Sequence, residues 1–349
     1  MKQATKHKTI GFLMVLAALS LRASAEPPKL EIAGDWQIKT EFEGRTTESI
    51  LSLCQDPEGK LSGKWISFWG FSELQEVKLE GDRLTFVQVN RSRQTESTSK
   101  FTGTVKEGKL TGTLSGERGE FSVQGTYMKP IAPAVGNWEI ISQRGDREIT
   151  RTLIIKADKE GKLTAEMQRQ QGQGQQDQGP GGQGQRPPEV IKEVSFKDGK
   201  LTFTRTTTFG DQQRESKYNL TVKEDTISGT VTSERGESQL EGKRVKNPLV
   251  GKWEITLSSE RGERKQFLTI NPDMSGWYGP TAVEKINLEK QEISFKMMLG
   301  SGERTFESEF KGRFDPEKLT LTGEMTGFGD SVQKVTGKKI VPAPKKKAD

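Results

Sequence analysis

Short runs in which hydrophobic and polar residues alternate recur along the chain, with turn-forming residues between them. Alternation of this kind is typical of half-buried β-strands, because successive side chains of a strand point to opposite faces. Clear examples are Val77-x-Leu79 with Leu84-x-Phe86, Val194-x-Phe196 with Leu201-x-Phe203, and Ile286-x-Leu288 with Ile293-x-Phe295. Helical periodicity is absent after residue 25. The pattern therefore predicts an all-β protein.

The predicted strands fall into three copies of one module. Each copy begins with a Gly-x-Trp sequence, at Gly34-Asp35-Trp36, Gly136-Asn137-Trp138 and Gly251-Lys252-Trp253. The tryptophans are 102 and 115 residues apart, and a Gln/Gly-rich insertion at 168–188 accounts for the longer interval. That insertion lacks the apolar residues needed to fold, so we expect a disordered loop there. A repeat of about a hundred residues has the size of a domain rather than of a solenoid unit.

Each copy contains eight predicted strands joined by short turns, which indicates an antiparallel meander. An open eight-stranded sheet has two exposed edges, and closure into an up-and-down barrel removes both. Glycines inside strands, such as Gly63 and Gly103, favour the tight coiling of a small barrel. We therefore predict three tandem eight-stranded antiparallel up-and-down β-barrel modules, with a β-sandwich or a partly open sheet as the alternative.

The predicted organisation of the whole chain follows from these boundaries. It consists of a signal peptide at 1–25, a first barrel at 30–130, a second barrel at 132–246 that contains the loop at 168–188, a third barrel at 247–341, and a basic tail at 342–349.

The first 25 residues have the three parts of a secretory signal peptide. Three lysines fall within the first eight residues, an apolar run follows at 10–21, and Ala23-Ser24-Ala25 precedes Glu26. We expect cleavage after Ala25 and a secreted or periplasmic protein. The apolar run is too short to span a bilayer as a stable helix, and no later stretch approaches the required length, so we expect no membrane insertion.

Charge and residue usage exclude several classes of function. The net charge of +6 falls to +2, from 50 basic and 48 acidic residues, once the predicted signal peptide is removed, so nucleic acid is not an expected partner. The single histidine, His7, lies in that segment. The remaining chain therefore lacks imidazole for acid–base catalysis, nucleophile activation or the usual zinc sites, and we expect no metal and no cofactor.

Cys54 is the only cysteine, so no intramolecular disulfide can form. It lies in a predicted strand, far from the cleavage point where a lipoprotein would carry its acyl chain. We expect it to be a small buried apolar side chain.

The Gly-x-Trp starts and the eight-stranded meander resemble the calycin group of lipocalin-like and avidin-like barrels. All three modules also look like repeats found in uncharacterised exported bacterial proteins. The resemblance implies that each tryptophan packs at the closed end of its barrel under a basic residue from the last strand. The residues offered for that role are Lys129, Arg244 and Lys338. Trp36, Trp138 and Trp253 are accordingly predicted to be structural core residues.

The most variable connection, between the third and fourth strands, supplies the candidate ligand-binding residues. They are the aromatic residues Trp65, Phe68, Trp69, Phe71, Trp277 and Tyr278. Aromatic side chains near a barrel opening can stack on a sugar ring or cover an apolar ligand. The alternative is that Trp65 and Trp277 fill the barrels and only Trp69 and Phe71 lie near the surface.

These features favour an exported, non-catalytic binding protein for a small molecule, either hydrophobic or a glycan. A structural or adhesive cell-envelope protein with repeated interaction modules is the alternative. Catalysis by a pair of carboxylates, as in glycoside hydrolysis, is the third hypothesis, although no acid pair stands out among apolar residues. The sequence leaves the ligand and the oligomeric state open.

Overall fold

The computed structural model describes residues 32–91, 96–117, 119–144, 147–158, 160–169, 189–260, 262–301, 304–327 and 331–341. The predicted signal peptide, the basic tail and most of the Gln/Gly-rich insertion lie outside these ranges, although Gln168 and Arg169 close a strand. No helix of the described residues is long and apolar enough to cross a membrane. The described chain forms one compact unit from Ile32 onward.

Module 1 is a closed barrel in which each strand pairs with the next and β8 pairs with β1. Its strands are β1 (Gly34–Phe42), β2 (Arg45–Gln55), β3 (Leu61–Ser67), β4 (Gly70–Glu80), β5 (Arg83–Arg91), β6 (Glu96–Lys106), β7 (Lys109–Gly116) and β8 (Gly119–Tyr127).

Module 2 has the same order of eight strands, but among the described residues no ladder joins β11 to β12. Its strands are β9 (Gly136–Arg144), β10 (Arg147–Ala157), β11 (Leu163–Arg169), β12 (Glu189–Lys197), β13 (Lys200–Phe209), β14 (Gln212–Lys223), β15 (Thr226–Ser233) and β16 (Gly236–Arg244). The Gln/Gly-rich insertion separates the two unpaired strands along the chain.

Module 3 forms a nine-stranded sheet that is open between β20 and β21. Its strands are β17 (Gly251–Ser259), β18 (Gly262–Ile270), β19 (Gly276–Tyr278), β20 (Thr281–Val283), β21 (Ile286–Glu289), β22 (Glu292–Ser301), β23 (Arg304–Asp315), β24 (Thr320–Thr326) and β25 (Val332–Lys339).

The three-module, all-β antiparallel fold is thus confirmed. Modules 1 and 2 have the predicted eight strands and module 3 has nine, and full closure is seen in module 1. The ninth strand of module 3 arises from a break in the fourth strand. In modules 1 and 2 this strand is kinked by an irregularity, between Gln75 and Lys78 and between Lys192 and Ser195. In module 3 the strand is interrupted at the equivalent place, which leaves β20 and β21 as separate pieces.

The Gly-x-Trp tryptophans occupy the centre of each core. Trp36, Trp138 and Trp253 are at most 1% exposed. Each indole Nε1 donates a hydrogen bond to the main-chain carbonyl four residues earlier, at 2.8–3.0 Å. This bond satisfies the polar atom of a side chain that is otherwise enclosed by apolar groups.

The residue that packs over the tryptophan is the expected one in module 2 and a different one in modules 1 and 3. The Arg244 guanidinium lies 4.1 Å from the Trp138 ring centroid, as predicted. In module 3 the amine over Trp253 belongs to Lys339 rather than Lys338, and in module 1 Tyr127 rather than Lys129 packs edge-on against Trp36. Each of these residues lies directly opposite its tryptophan in the ladder between the first and last strands.

Strand alternation explains both corrections. The last strand continues two residues beyond its interior glycine, and two steps along a strand return to the same face. Lys338 is one step from Gly337 and faces the other way, while Lys129 lies beyond the end of β8.

Cys54 is exposed, which contradicts the expectation of a buried thiol. Leu53 points into the barrel at 2% exposure, so its neighbour on the same strand points outward. The acidic turns after the second strand are solvated, as their sequences suggest. In two of them the aspartate, Asp56 or Asp158, accepts two main-chain N–H bonds within its own turn.

The modules contact one another. Lys252 of module 3 forms an ion pair with Asp35 of module 1 at 3.4 Å. The Ala157 amide of module 2 donates a hydrogen bond to the Asp273 carboxylate of module 3 at 3.3 Å. The modules are therefore joined by side-chain contacts as well as by the connecting chain.

Candidate functional site

Barrel 1 has a polar interior at one end. We call this end mouth 1, the end bearing the turns β1–β2, β3–β4, β5–β6 and β7–β8. The residues below it are apolar and buried, as at Ile38, Leu51, Phe86 and Phe101. Nearer the opening, Leu114 and Phe121 on β7 and β8 and Phe42 at the end of β1 are apolar. The inward-facing positions of β1 to β6 there carry mostly neutral polar side chains: Thr40, Thr47, Ser49, Ser67, Ser72, Gln88, Asn90, Ser97 and Ser99.

The amide of Gln88 and the hydroxyl of Thr40 define the inner part of mouth 1. The Gln88 side chain is 6% exposed, and its Nε2 donates to Asn90 Oδ1 at 3.1 Å and to Ser72 Oγ at 3.4 Å. Thr40 is 8% exposed, and its hydroxyl has no hydrogen-bond partner. A buried hydroxyl without a partner costs about 1–3 kcal/mol. A ligand hydroxyl placed beside it would remove that cost.

Trp65 forms part of the floor beneath this polar layer. It is 5% exposed, and its ring centroid is 6.1 Å from that of Phe86, which in turn stacks on Phe101 at 4.6 Å. Trp69 lies at the rim with 74% of its surface exposed. Mouth 1 therefore combines an aromatic floor, a layer of hydroxyl and amide groups on β1 to β6, and an exposed aromatic residue at the edge.

Phe68 and Phe71 face module 3. Phe71 stacks on Phe267 with ring centroids 4.3 Å apart and an interplanar angle of 27°. Phe68 packs against the apolar core of module 3, and the Arg264 guanidinium lies 5.6 Å from its ring. In addition, the Gln266 side chain, 1% exposed, donates from Nε2 to the Ser67 carbonyl at 2.8 Å. The β3–β4 turn of module 1 is thus seated on β18.

The two candidates of module 3 point in opposite directions. Tyr278 is 2% exposed within the module 3 core, and burial raises the pKa of its hydroxyl. Trp277 lies on the other face of β19 and is half-buried. It lines a space of about 3730 Å³ into which mouth 1 opens. Sites for one small molecule usually measure about 300–1,000 Å³, so this space is several times larger than such a site.

Equivalent inward positions carry different chemistry in the three modules. Equivalence is fixed by counting from the Gly-x-Trp tryptophan and from the aromatic residues of the fifth and sixth strands. The matched sets are Thr40, Ser49, Gln88 and Ser97 in module 1; Ser142, Arg151, Arg205 and Arg214 in module 2; and Leu257, Gln266, Met297 and Phe306 in module 3. The layer is neutral and polar in the first module, cationic in the second, and mainly apolar in the third.

The sequence analysis named Trp65 and Trp69, which lie at mouth 1, but it did not identify the polar layer, because serine and threonine are common on both faces of β-strands. A position-by-position comparison of the three copies could have identified this layer. The position thirteen residues after the tryptophan is Ser49, Arg151 or Gln266, whereas its apolar neighbours are nearly unchanged.

Within the described part of the chain, no group of three or more His, Cys, Asp or Glu side chains could hold a metal ion. The inward layer of mouth 1 carries no carboxylate at its described positions. Its chemistry is that of neutral hydrogen-bond donors and acceptors.

No protein-family model and no curated protein matches the chain. One solved structure, described as that of a candidate outer membrane protein from Bacteroides fragilis, is 10% identical over 89% of this chain and 98% of its own, with a TM-score of 0.23. A transferrin binding protein B variant from Haemophilus parasuis is 10% identical over 88% of this chain and 74% of its own, with a TM-score of 0.19. A Nostoc punctiforme protein of unknown function is 11% identical over 88% of this chain and 96% of its own, with a TM-score of 0.18. TM-scores this low support no inference about this chain.

The stacked pair between modules 1 and 3 supports a direct prediction. In a double-mutant cycle, Phe71→Ala and Phe267→Ala should show a coupling of about 1 kcal/mol, because the rings contact each other across the interface. Urea unfolding of the four proteins measures it. As a control, Phe71→Ala should combine additively with Phe203→Ala, which lies in the core of module 2. Additivity in both pairs would contradict the seated turn.

Proposed function

We propose that the protein is an exported, non-catalytic binding protein that holds a small polyhydroxylated molecule, such as a saccharide, in mouth 1. One observation carries this proposal. A layer of neutral hydroxyl and amide side chains lies above an aromatic floor, and within it the Thr40 hydroxyl is buried without a partner. Export rests on the predicted signal peptide.

The chemistry of a saccharide matches that layer. Serine, threonine, asparagine and glutamine each donate and accept hydrogen bonds, as sugar hydroxyls do. An aromatic face such as that of Trp65 or Trp69 can pack against the apolar face of a sugar ring. Apart from the exposed Arg45 at the start of β2, the described inward positions of mouth 1 are uncharged, so a neutral ligand leaves no buried charge without a partner. A purely hydrophobic ligand would leave the polar layer unsatisfied and is therefore the less favoured occupant.

The absence of catalysis is part of the proposal. After residue 25 the sequence contains no histidine, and the described inward positions of mouth 1 offer no pair of carboxylates. Hydrogen-bonding side chains of this kind bind and orient a ligand but supply no general acid or base near neutral pH.

We also infer a lipocalin-like relationship for the modules. Its support is the Gly-x-Trp start of each first strand together with the cations of Arg244 and Lys339 over two of the tryptophans.

Thr40→Val provides the sharpest test because it has opposite effects on stability and binding. Without ligand, removing a buried hydroxyl that has no partner should raise the free energy of unfolding by about 1 kcal/mol. Binding should become roughly tenfold weaker, because the ligand group that would pair with the hydroxyl loses its partner. Calorimetric titration with a panel of neutral mono- and disaccharides measures binding, and urea unfolding measures stability.

Thr111→Val is the matched control, since this threonine lies on the outer face of β7 and is exposed. It should change neither binding nor stability appreciably. A wild-type protein that binds no member of the panel would contradict the proposal. Equal affinity in the wild type and in Thr40→Val would contradict the place given to the ligand.

A further inference from the structure

Trp277 lies on the outer face of module 3, beside the turn of module 1 that carries Trp69. In the β18–β19 ladder it is opposite Thr269, so it is the diagonal neighbour of Phe267. Diagonal neighbours on one face of a sheet are about 7–8 Å apart. Phe267 in turn stacks on Phe71 of module 1. Trp277 therefore lies next to the place where the β3–β4 turn is seated.

Contacts between the modules fix the position of Trp277 relative to mouth 1. The Phe71–Phe267 stack and the hydrogen bond from Gln266 to the Ser67 carbonyl hold the turn against β18. Trp69 of that turn is 74% exposed, and Trp277 is half-buried. Both side chains line the space of about 3730 Å³ into which mouth 1 opens. Two indoles from different modules therefore border one space.

The size of this space indicates a ligand longer than one sugar unit. At about 3730 Å³ it is roughly four times the upper value for a site that holds one small molecule. The barrel below mouth 1 is filled, since Trp36, Ile38 and Phe86 are at most 1% exposed. A chain cannot pass through a filled barrel, so a long ligand can enter mouth 1 only by one end.

The charge of the walls favours a neutral chain. Among the described residues that line the space, acidic side chains outnumber basic ones by nine to four. An acidic chain would be repelled by this excess, whereas a neutral one would not. The hydroxyls of a neutral sugar pair with polar side chains, and the apolar face of its ring packs on an indole.

We propose that mouth 1 binds the end of a neutral glycan chain and that the following sugar units lie in the space between modules 1 and 3. The terminal unit is held beside Thr40 and Gln88, and the later units pack against the indoles of Trp69 and Trp277. This inference rests on the proposed function. It adds that the ligand is a chain and that module 3 contributes a binding residue.

The test is calorimetric titration of residues 26–349 with two-unit and six-unit malto-, cello- and N-acetylchito-oligosaccharides. In at least one series the six-unit member should bind about tenfold more tightly than the two-unit member, because it adds contacts at Trp277. Thr40→Val should weaken binding of both members by a similar factor, since the terminal unit occupies mouth 1 in each. A six-unit affinity that Thr40→Val leaves unchanged would overturn the place given to the chain end.

Trp277→Ala is the decisive variant. It should bring the six-unit affinity to within about twofold of the two-unit affinity, because the ring contact is lost. Trp277→Phe keeps an aromatic ring and should retain at least about a threefold preference for the longer chain. Two-unit binding to each variant also reports whether mouth 1 is still folded.

Ile141→Ala is the control, because it removes an exposed apolar side chain of module 2 that does not line the space. Its affinity for the six-unit member should remain within about twofold of wild type. Hexagalacturonate, an acidic chain of the same length, should bind more weakly than the best neutral six-unit member. Tighter binding of hexagalacturonate would overturn the neutral character given to the chain.

The results separate this inference from the proposed function. Equal affinity for two-unit and six-unit members in every series would overturn the inference and leave the proposed function standing. A preference for the longer chain that Trp277→Ala leaves intact would do the same. Binding of no member of any series would overturn both.

Discussion

Replacing Trp138 with alanine is expected to lower the free energy of unfolding of the protein by about 3–5 kcal/mol. The side chain is fully buried, its Nε1 donates to the Ala134 carbonyl, and the Arg244 guanidinium rests on its ring. Removing the indole would create a cavity, leave the carbonyl without its donor and take away the surface on which the cation lies. Urea unfolding followed by far-UV circular dichroism measures the loss.

Trp69→Ala is the matched control, because the same side chain is removed from a site that is 74% exposed. Its stability should stay within about 0.5 kcal/mol of wild type. Similar losses in the two variants would show that Trp138 is not the centre of a packed core.

The second large effect is expected at Gly112 of β7, which lies directly opposite Gly103 of β6. A Cβ atom here would lie 2.4 Å from the Thr102 carbonyl oxygen and 2.6 Å from the Gly103 Cα, both main-chain atoms that cannot rotate away. Gly112→Val should therefore force the two strands apart and cost about 3 kcal/mol or more. Urea unfolding of the variant measures this cost.

Thr113→Val, one residue along the same strand and facing outward, is the control and should be nearly neutral. A Gly112→Val protein as stable as wild type would contradict the close approach of the two strands. In module 3 the pair Gly312 and Gly323 makes the same approach, so Gly323→Val should repeat the effect.

The fold was largely predictable because its signals are local and repeated in register. Alternation locates the strands, Gly-x-Trp marks the start of each copy, and the turn sequences fix the meander. The number of strands in module 3 was not predictable in the same way. Residues 284–285 interrupt its fourth strand where modules 1 and 2 have only a kink, and whether an irregularity bends or breaks a strand depends on tertiary pairing.

Alternation predicts which way a strand side chain points once a neighbouring residue is known to face inward. Cys54 was predicted to be buried, but it neighbours the inward-facing Leu53 and must face outward. Lys339 was missed for the same reason, since two steps from Gly337, not one, return to the face of Trp253. In both cases the strand was predicted correctly, and the error lay in which of its two faces the residue occupies.

The candidate site was predicted only in part, because contacts between modules cannot be inferred from local patterns. Trp65 and Trp69 lie at mouth 1, whereas Phe68 and Phe71 of the same run pack against module 3. A ligand role for the aromatic residues remains a prediction. The neutral, cationic and apolar layers of the three modules lie at equivalent strand positions. The strand pattern at these positions is the same in each copy, so their different chemistry becomes visible only when the three copies are aligned.

The central claim is that mouth 1 holds a neutral saccharide in its layer of hydroxyl and amide side chains. Amide chemical-shift mapping of residues 26–349, titrated with a panel of neutral saccharides, tests this claim most directly. We expect a bound saccharide to shift the amides around Thr40 and Gln88, because these two side chains form the inner part of mouth 1. Shifts confined to modules 2 and 3, or no shifts with any member of the panel, would contradict the claim.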